Sequence, residues 1–352
     1  LSRTGSTLEP LIDNFEDEWA FVGNQGGVLL FRTSNDAPLG RLVSINMDAS
    51  SGDRTWQVII PESKDTLRGV SHVGGKLAAS WMHDASSRLS VHDMSGRHLQ
   101  NITLPGIGAA SGLSGWPDDS ETFYSYTSYI SPPQIFRHDL ADETSVLWLA
   151  TEVDFDPSLF TVKQVFYEST DGTIIPMSIA HRKDLERTGE LPTLLYGYGG
   201  FSIPLMPYFS ASRLAWMELG GVLAVANLRG GGEYGRAWHE AGTKLEKQNV
   251  FDDFISAAEW LIRNGYTNPD KLAIQGGSNG GLLVGAAMSQ RPDLFAAALP
   301  AVGVMDMLRY PQFTIGRAWI PDFGDPDVPE EFAALYAYSP YHNLKLGTTY
   351  PA

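Results

Sequence analysis

A chain of 352 residues, 43% hydrophobic and 11% aromatic, is long enough for two domains and a large apolar core. Its formal net charge of -16 comes without the Lys/Arg clusters that displace counterions from phosphates, which excludes nucleic acid as a partner. The absence of cysteine excludes disulfides, thiolate catalysis and zinc–thiolate sites, and no run of apolar residues is long enough to suggest a membrane partner.

The chain starts Leu1-Ser2-Arg3-Thr4-Gly5, with neither an initiator Met nor a signal-type apolar stretch, so the true N-terminus is expected to lie elsewhere. From about Glu18 to Leu149, short β-type runs alternate with turn signals and no helical period develops. They group into three similar units, Trp19 to Ile60, Gly69 to Leu104 and Gly112 to Leu149, each with about four strands. A four-stranded repeat near 40 residues is the signature of a propeller blade; periodicity alone leaves a β-sandwich as the alternative. Three blades do not close a ring, so further blades are expected before residue 1.

After Val153 the rhythm changes. A hairpin turning at Asp171-Gly172 leads into apolar strands at Thr193 to Tyr196, Val222 to Ala226, Lys271 to Gln275 and Phe295 to Ala301. Between them fall amphipathic stretches at Ser210 to Glu218, Val250 to Asn264 and Asn279 to Ser289. In the longest, Phe251, Phe254, Ile255, Ala258, Leu261 and Ile262 recur at helical spacing. The fold class that follows is all-β propeller blades over residues 1–151, then an α/β domain with a mostly parallel sheet over residues 152–352.

Between the strand Leu272 to Gln275 and the following helix stands Gly276-Gly277-Ser278-Asn279-Gly280, a G-x-S-x-G in the strand-turn-helix setting of a nucleophile elbow. Glycine on either side lets the backbone turn sharply, so the Ser278 hydroxyl is expected at the top of the sheet as the catalytic nucleophile. The backbone N–H of Asn279, at the start of the helix, is the expected oxyanion donor. The alternative is a phosphate-cradling or structural turn, but the Lys and Ser/Thr of a P-loop and the acid of a dinucleotide site do not follow. A second oxyanion donor is expected from the loop Tyr196-Gly197-Tyr198-Gly199-Gly200-Phe201, where an aromatic in a Gly-rich turn is as readily a packing residue.

Three runs stand in register: Gly197-Tyr198-Gly199-Gly200-Phe201, Asn227-Leu228-Arg229-Gly230-Gly231-Gly232-Glu233-Tyr234-Gly235 and Gly276-Gly277-Ser278-Asn279-Gly280-Gly281. Together they resemble the prolyl oligopeptidase family of serine peptidases, and the blade units resemble the later blades of that family's seven-bladed propeller. The resemblance implies an α/β-hydrolase catalytic domain after an incomplete propeller. Asn279 is similar to the residue of the prolyl endopeptidase branch. There, the residue matching Tyr198 gives its hydroxyl to the oxyanion, and residues matching Phe201, Asn279, Val304, Trp319 and Phe323 line the pocket for a proline ring. Phe323 departs from the family's usual Tyr, which removes a hydroxyl from the pocket rim.

The implied activity is hydrolysis of short proline-containing peptides after proline, through an acyl-enzyme on Ser278, with no metal or organic cofactor. A cytoplasmic monomer is the accompanying expectation. An α/β-hydrolase of another specificity, oligopeptidase or esterase, and a catalytically dead propeller scaffold are the alternatives. The mechanism also needs an acid and then a His after the serine. His342 is the only His after Ser278 and has no strand before it; it reads as structural, as do His72, His83, His92 and His98. His239 precedes the serine. The resemblance puts the catalytic Asp and His beyond Ala352, so the 352-residue chain alone is expected not to hydrolyse peptides.

Overall fold

The computed structural model describes residues 10–13 and 16–352, and the chain start Leu1 to Gly5 lies outside the described residues. Three antiparallel four-stranded sheets come first, each a meander in chain order. They are β1 to β4 (Trp19–Gln25, Val28–Thr33, Arg41–Asn46, Gln57–Ile60), β5 to β8 (Thr66–Val73, Lys76–His83, Ser86–His92, His98–Ile102) and β9 to β12 (Ala109–Ser114, Glu121–Ser128, Ser131–Asp139, Thr144–Ala150). Tight turns close the meanders. Between β5 and β6, Gly74 and Gly75 take φ of +58° and +65°, the left-handed pair that matches strand twist in a two-residue hairpin.

Successive sheets are joined by apolar faces. Leu30, Leu42 and Ile60 of the first meet Leu77 of the second, and Val73, Leu89, Val91 and Ile102 of the second meet Leu113 and Tyr124 of the third. The first strands β1, β5 and β9 neighbour one another in turn. Sheets stacked in series around their first strands are blades, which removes the sandwich alternative.

The second half builds on a six-stranded sheet of order β13-β14-β16-β15-β17-β18, with β13 to β18 at Phe160–Glu168, Ile174–Arg182, Thr193–Tyr196, Val222–Ala226, Leu272–Gly277 and Ala297–Ala301. The pairs β16·β15, β15·β17 and β17·β18 are parallel, whereas β13 and β14 are antiparallel additions. Helices α1 to α7 cover Ala211–Glu218, Gly235–Glu240, Gln248–Arg263, Asn279–Gln290, Ile320–Phe323, Pro329–Tyr338 and Pro340–Asn343.

Every residue of β16 is buried because helices cover both faces. Its alternate residues divide the layers: Leu223 and Val225 pack with Leu214 and Met217 of α1, while Val222, Ala224 and Ala226 join the core formed by α3 and α4. Tyr129, between β10 and β11, enters the α1 cluster, and Tyr234 donates to Asp84 across the two halves at 2.7 Å. No helix among the described residues is long and apolar enough to cross a membrane.

Candidate active site

The parallel strands end together, and the loops after β15, β16, β17 and β18 gather at their C-terminal edge, where open α/β sheets bind ligands. Ser278 stands there between β17 and α4 with φ +57° and ψ -117°. A non-glycine residue in that region stores about 1–3 kcal/mol and persists only where its surroundings over-determine it. Here the Ser278 N–H donates to Ala301 O at 2.8 Å, and its carbonyl accepts from Gly281 and Leu282 at 2.8 and 3.1 Å. The flanking glycines are required by space. A Cβ on Gly276 would lie 2.3 Å from Gly280 O, and one on Gly280 would lie 2.7 Å from Gly197 O.

Asn279 is the first residue of α4, so its N–H has no acceptor within the helix. Its side chain is buried; Nδ2 donates to Tyr198 O, and Oδ1 is left without a partner. Tyr198 follows β15 and lines the same cavity as Ser278. Burial foremost, and then the nearby negative charge of Asp322, raise the Tyr198 pKa, while the Ser278 contact pulls the other way. The phenol is therefore a proton-bearing donor at neutral pH.

Beside the serine lies a cavity of about 230 Å³ lined by Tyr198, Phe201, Ile203, Ser278, Asn279, Val304, Trp319 and Phe323. All seven residues singled out in the sequence meet on this cavity. Ile203, which carries no motif signal, completes it. Its aromatic walls meet edge to face, Phe201 and Phe323 at 5.3 Å and Trp319 and Phe323 at 6.3 Å between centroids. Phe323 is only 1% exposed and lines the cavity. A larger cavity of about 670 Å³ lies between the first two blades, away from any strained nucleophile.

No histidine or carboxylate among the described residues hydrogen-bonds the Ser278 hydroxyl. His342 shares a 2.8 Å hydrogen bond with Ser339, and His239 one of 2.7 Å with Asp322. In the blades, His83 is held by Asp65, His92 by Ser90 and His98 by Asn101.

Asp322, 4% exposed, is a residue the motifs did not reveal: Oδ1 accepts from the Phe201 N–H at 3.1 Å as well as from His239, and Oδ2 lies 3.6 Å from Lys247 Nζ. Buried charges leave no periodic pattern in a sequence, and the nearness of Asp322 to Trp319 and Phe323 is the signal that could have found it.

A serine held in a strained turn between a parallel strand and a helix, with an unpaired helix N–H and a phenol on the same cavity, has the geometry of the nucleophile elbow that marks the α/β-hydrolase class. The family model described as "Prolyl oligopeptidase, N-terminal beta-propeller domain" matches residues 1–151, and that of the "Prolyl oligopeptidase family" matches residues 207–352. The chain belongs to the prolyl oligopeptidase family.

It is 46% identical over 344 residues to a prolyl endopeptidase of Elizabethkingia miricola, covering 97% of this chain and 48% of that protein. It is 41% identical to one of Dictyostelium discoideum, covering 100% of this chain and 48% of that protein. A solved prolyl endopeptidase structure superposes with a TM-score of 0.91 at 46% identity, covering 97% of this chain and 50% of that one. Prolyl oligopeptidase B from Galerina marginata, bound to a 25mer macrocyclization substrate, gives 0.92 at 34% identity, covering 97% and 48%. The chain spans about half the length of the curated relatives it matches.

Proposed function

We propose that the protein is a serine endopeptidase that hydrolyses short peptides on the carboxyl side of proline. Ser278 Oγ attacks the carbonyl carbon, the Tyr198 hydroxyl and the Asn279 N–H hold the resulting oxyanion, its collapse breaks the C–N bond and expels the amine fragment with the proton given up by the serine, and water then hydrolyses the acyl-enzyme to the peptide acid. Loss of the Ser278 proton needs a base. That role is carried by the family resemblance, since the described neighbours of Ser278 supply none.

The observation that carries the substrate reading is the small aromatic cavity beside Ser278, closed by Phe201, Trp319 and Phe323. A pyrrolidine ring is flat and apolar enough to stack there, whereas a guanidinium or ammonium would enter facing no carboxylate in the lining. The names of the relatives, prolyl endopeptidases at 46% and 41% identity, support the same choice. Action as a monomer in the cytoplasm belongs to the same proposal; light scattering and cell fractionation test it.

Initial rates on matched peptide amides with proline, alanine or arginine before the scissile bond, measured on the protein expressed from its complete reading frame, test the assignment. The proline substrate should have the highest kcat/KM. A preference for alanine or arginine overturns it.

A further inference from the structure

Behind the cavity lies a buried charged cluster that touches none of the reacting atoms. Asp322 sits in α5 between Trp319 and Phe323, two walls of the cavity, and its side chain is 5% exposed. Its Oδ1 accepts from the backbone N–H of Phe201, the facing wall, at 3.1 Å and from His239 Nε2 at 2.7 Å. Lys247, 1% exposed, stands 3.6 Å from Oδ2, donates to Gly199 O at 3.0 Å and lies 5.3 Å over the Phe323 ring. One carboxylate and one ammonium thus tie the loop bearing Tyr198 and Phe201 to the segment bearing Trp319 and Phe323.

The loop needs such ties. Phe201 and Ser202 both take left-handed φ, +57° and +55°, without being glycine, a conformation that survives only when held from outside. Ser202 is held through its N–H to Gly230 O at 3.1 Å, and Phe201 through Asp322. Asp322 Oδ2 makes no hydrogen bond of its own, so Lys247 supplies its nearest compensation as an opposite charge. Burial lowers the Lys247 pKa to about 8 while Asp322 pulls it up, which leaves the lysine charged at neutral pH.

We propose that Asp322, braced by Lys247 and His239, is a positioning residue that sets the width of the Phe201–Phe323 jaw and thereby the preference for a proline ring. This rests on the substrate reading above. A loop released from Asp322 lets Phe201 move, and a misplacement of about 1 Å in a substrate-positioning group costs on the order of 10²-fold in rate.

The test is the ratio of kcat/KM for the proline amide to that for the alanine amide, measured in the protein from its complete reading frame. Asp322→Ala removes the acceptor for Phe201 and His239 together with the charge that faces Lys247. The ratio should fall about tenfold or more, with KM for the proline substrate rising more than kcat falls. His239→Ala should lower it as well, and His239→Gln, whose amide still donates, should restore most of it. If Asp322→Ala alone does not fold, Asp322→Ala with Lys247→Met leaves no buried charge uncompensated and should show the same loss of ratio. A parallel fall for both substrates at an unchanged ratio, or an unaltered folded variant, overturns the inference while leaving the substrate reading intact. A wild type without proline preference overturns both.

Discussion

Ser278 and its immediate partners are where chemistry and strain coincide. A phenol held protonated by burial on the same cavity as Ser278 is proposed to act on the developing oxyanion and not on the ground state. Tyr198→Phe should therefore lower kcat by about 10²- to 10³-fold with little change in KM. A fall confined to KM would contradict that role.

Glu233 is a second buried group with a measurable signature. Its carboxyl is 2% exposed, Oε1 accepts from Leu205 N and Asn227, and Oε2 has no partner. Burial pushes its pKa up from 4.5 to about 7. A raised folded pKa gives stability that is present in full below pH 4.5 and lost as pH rises through 7. That loss is about 3 kcal/mol at roughly 1.4 kcal/mol per tenfold change in proton affinity. Glu233→Gln cannot ionise, so its stability relative to wild type should improve by about that amount between acid and neutral pH in denaturant titrations. A pH-independent difference would rule this out.

At the scale of the element, much was legible because periodicity and turn chemistry agree. The α3 spacing of Phe251, Phe254, Ile255, Ala258 and Leu261 gave a helix whose observed span, Gln248–Arg263, differs from Val250 to Asn264 only at the ends. The strand before Ser278 and the helix after it were read within two residues of β17 and α4. The short helices α2 and α5 were not read, since six and four residues are too few to show a period. They nonetheless carry His239 and Asp322, so the bracing of the cavity was hidden in the elements with the least sequence signal.

The elbow itself is a property of the β17–α4 junction and gives a sharp mutational expectation. Gly276→Ala places a methyl 2.3 Å from a backbone oxygen that neither element can move aside, and should cost about 3 kcal/mol or more in folding stability. An unchanged denaturation midpoint would refute the packing account.

On the scale of the whole molecule, three blades and a six-stranded α/β sheet meet through Tyr129, Tyr234 and Asp84, and the candidate site opens at the C-terminal edge of that sheet. The sequence rhythm revealed both halves because each repeats a simple physical pattern, alternating strands in one and strand–helix units in the other. What it could not reveal is which side chains converge from distant segments: Phe201 and Phe323 are far apart in the chain yet form one wall pair. Only the family motifs foreshadowed that meeting. The proposed chemistry depends above all on Ser278 being an activated nucleophile. Labelling of the protein from its complete reading frame with a fluorophosphonate, followed by mass spectrometry of its peptides, measures this directly. Stoichiometric modification is expected on the peptide containing Ser278 and none in Ser278→Ala; modification elsewhere, or no modification at all, would refute the nucleophile role of Ser278.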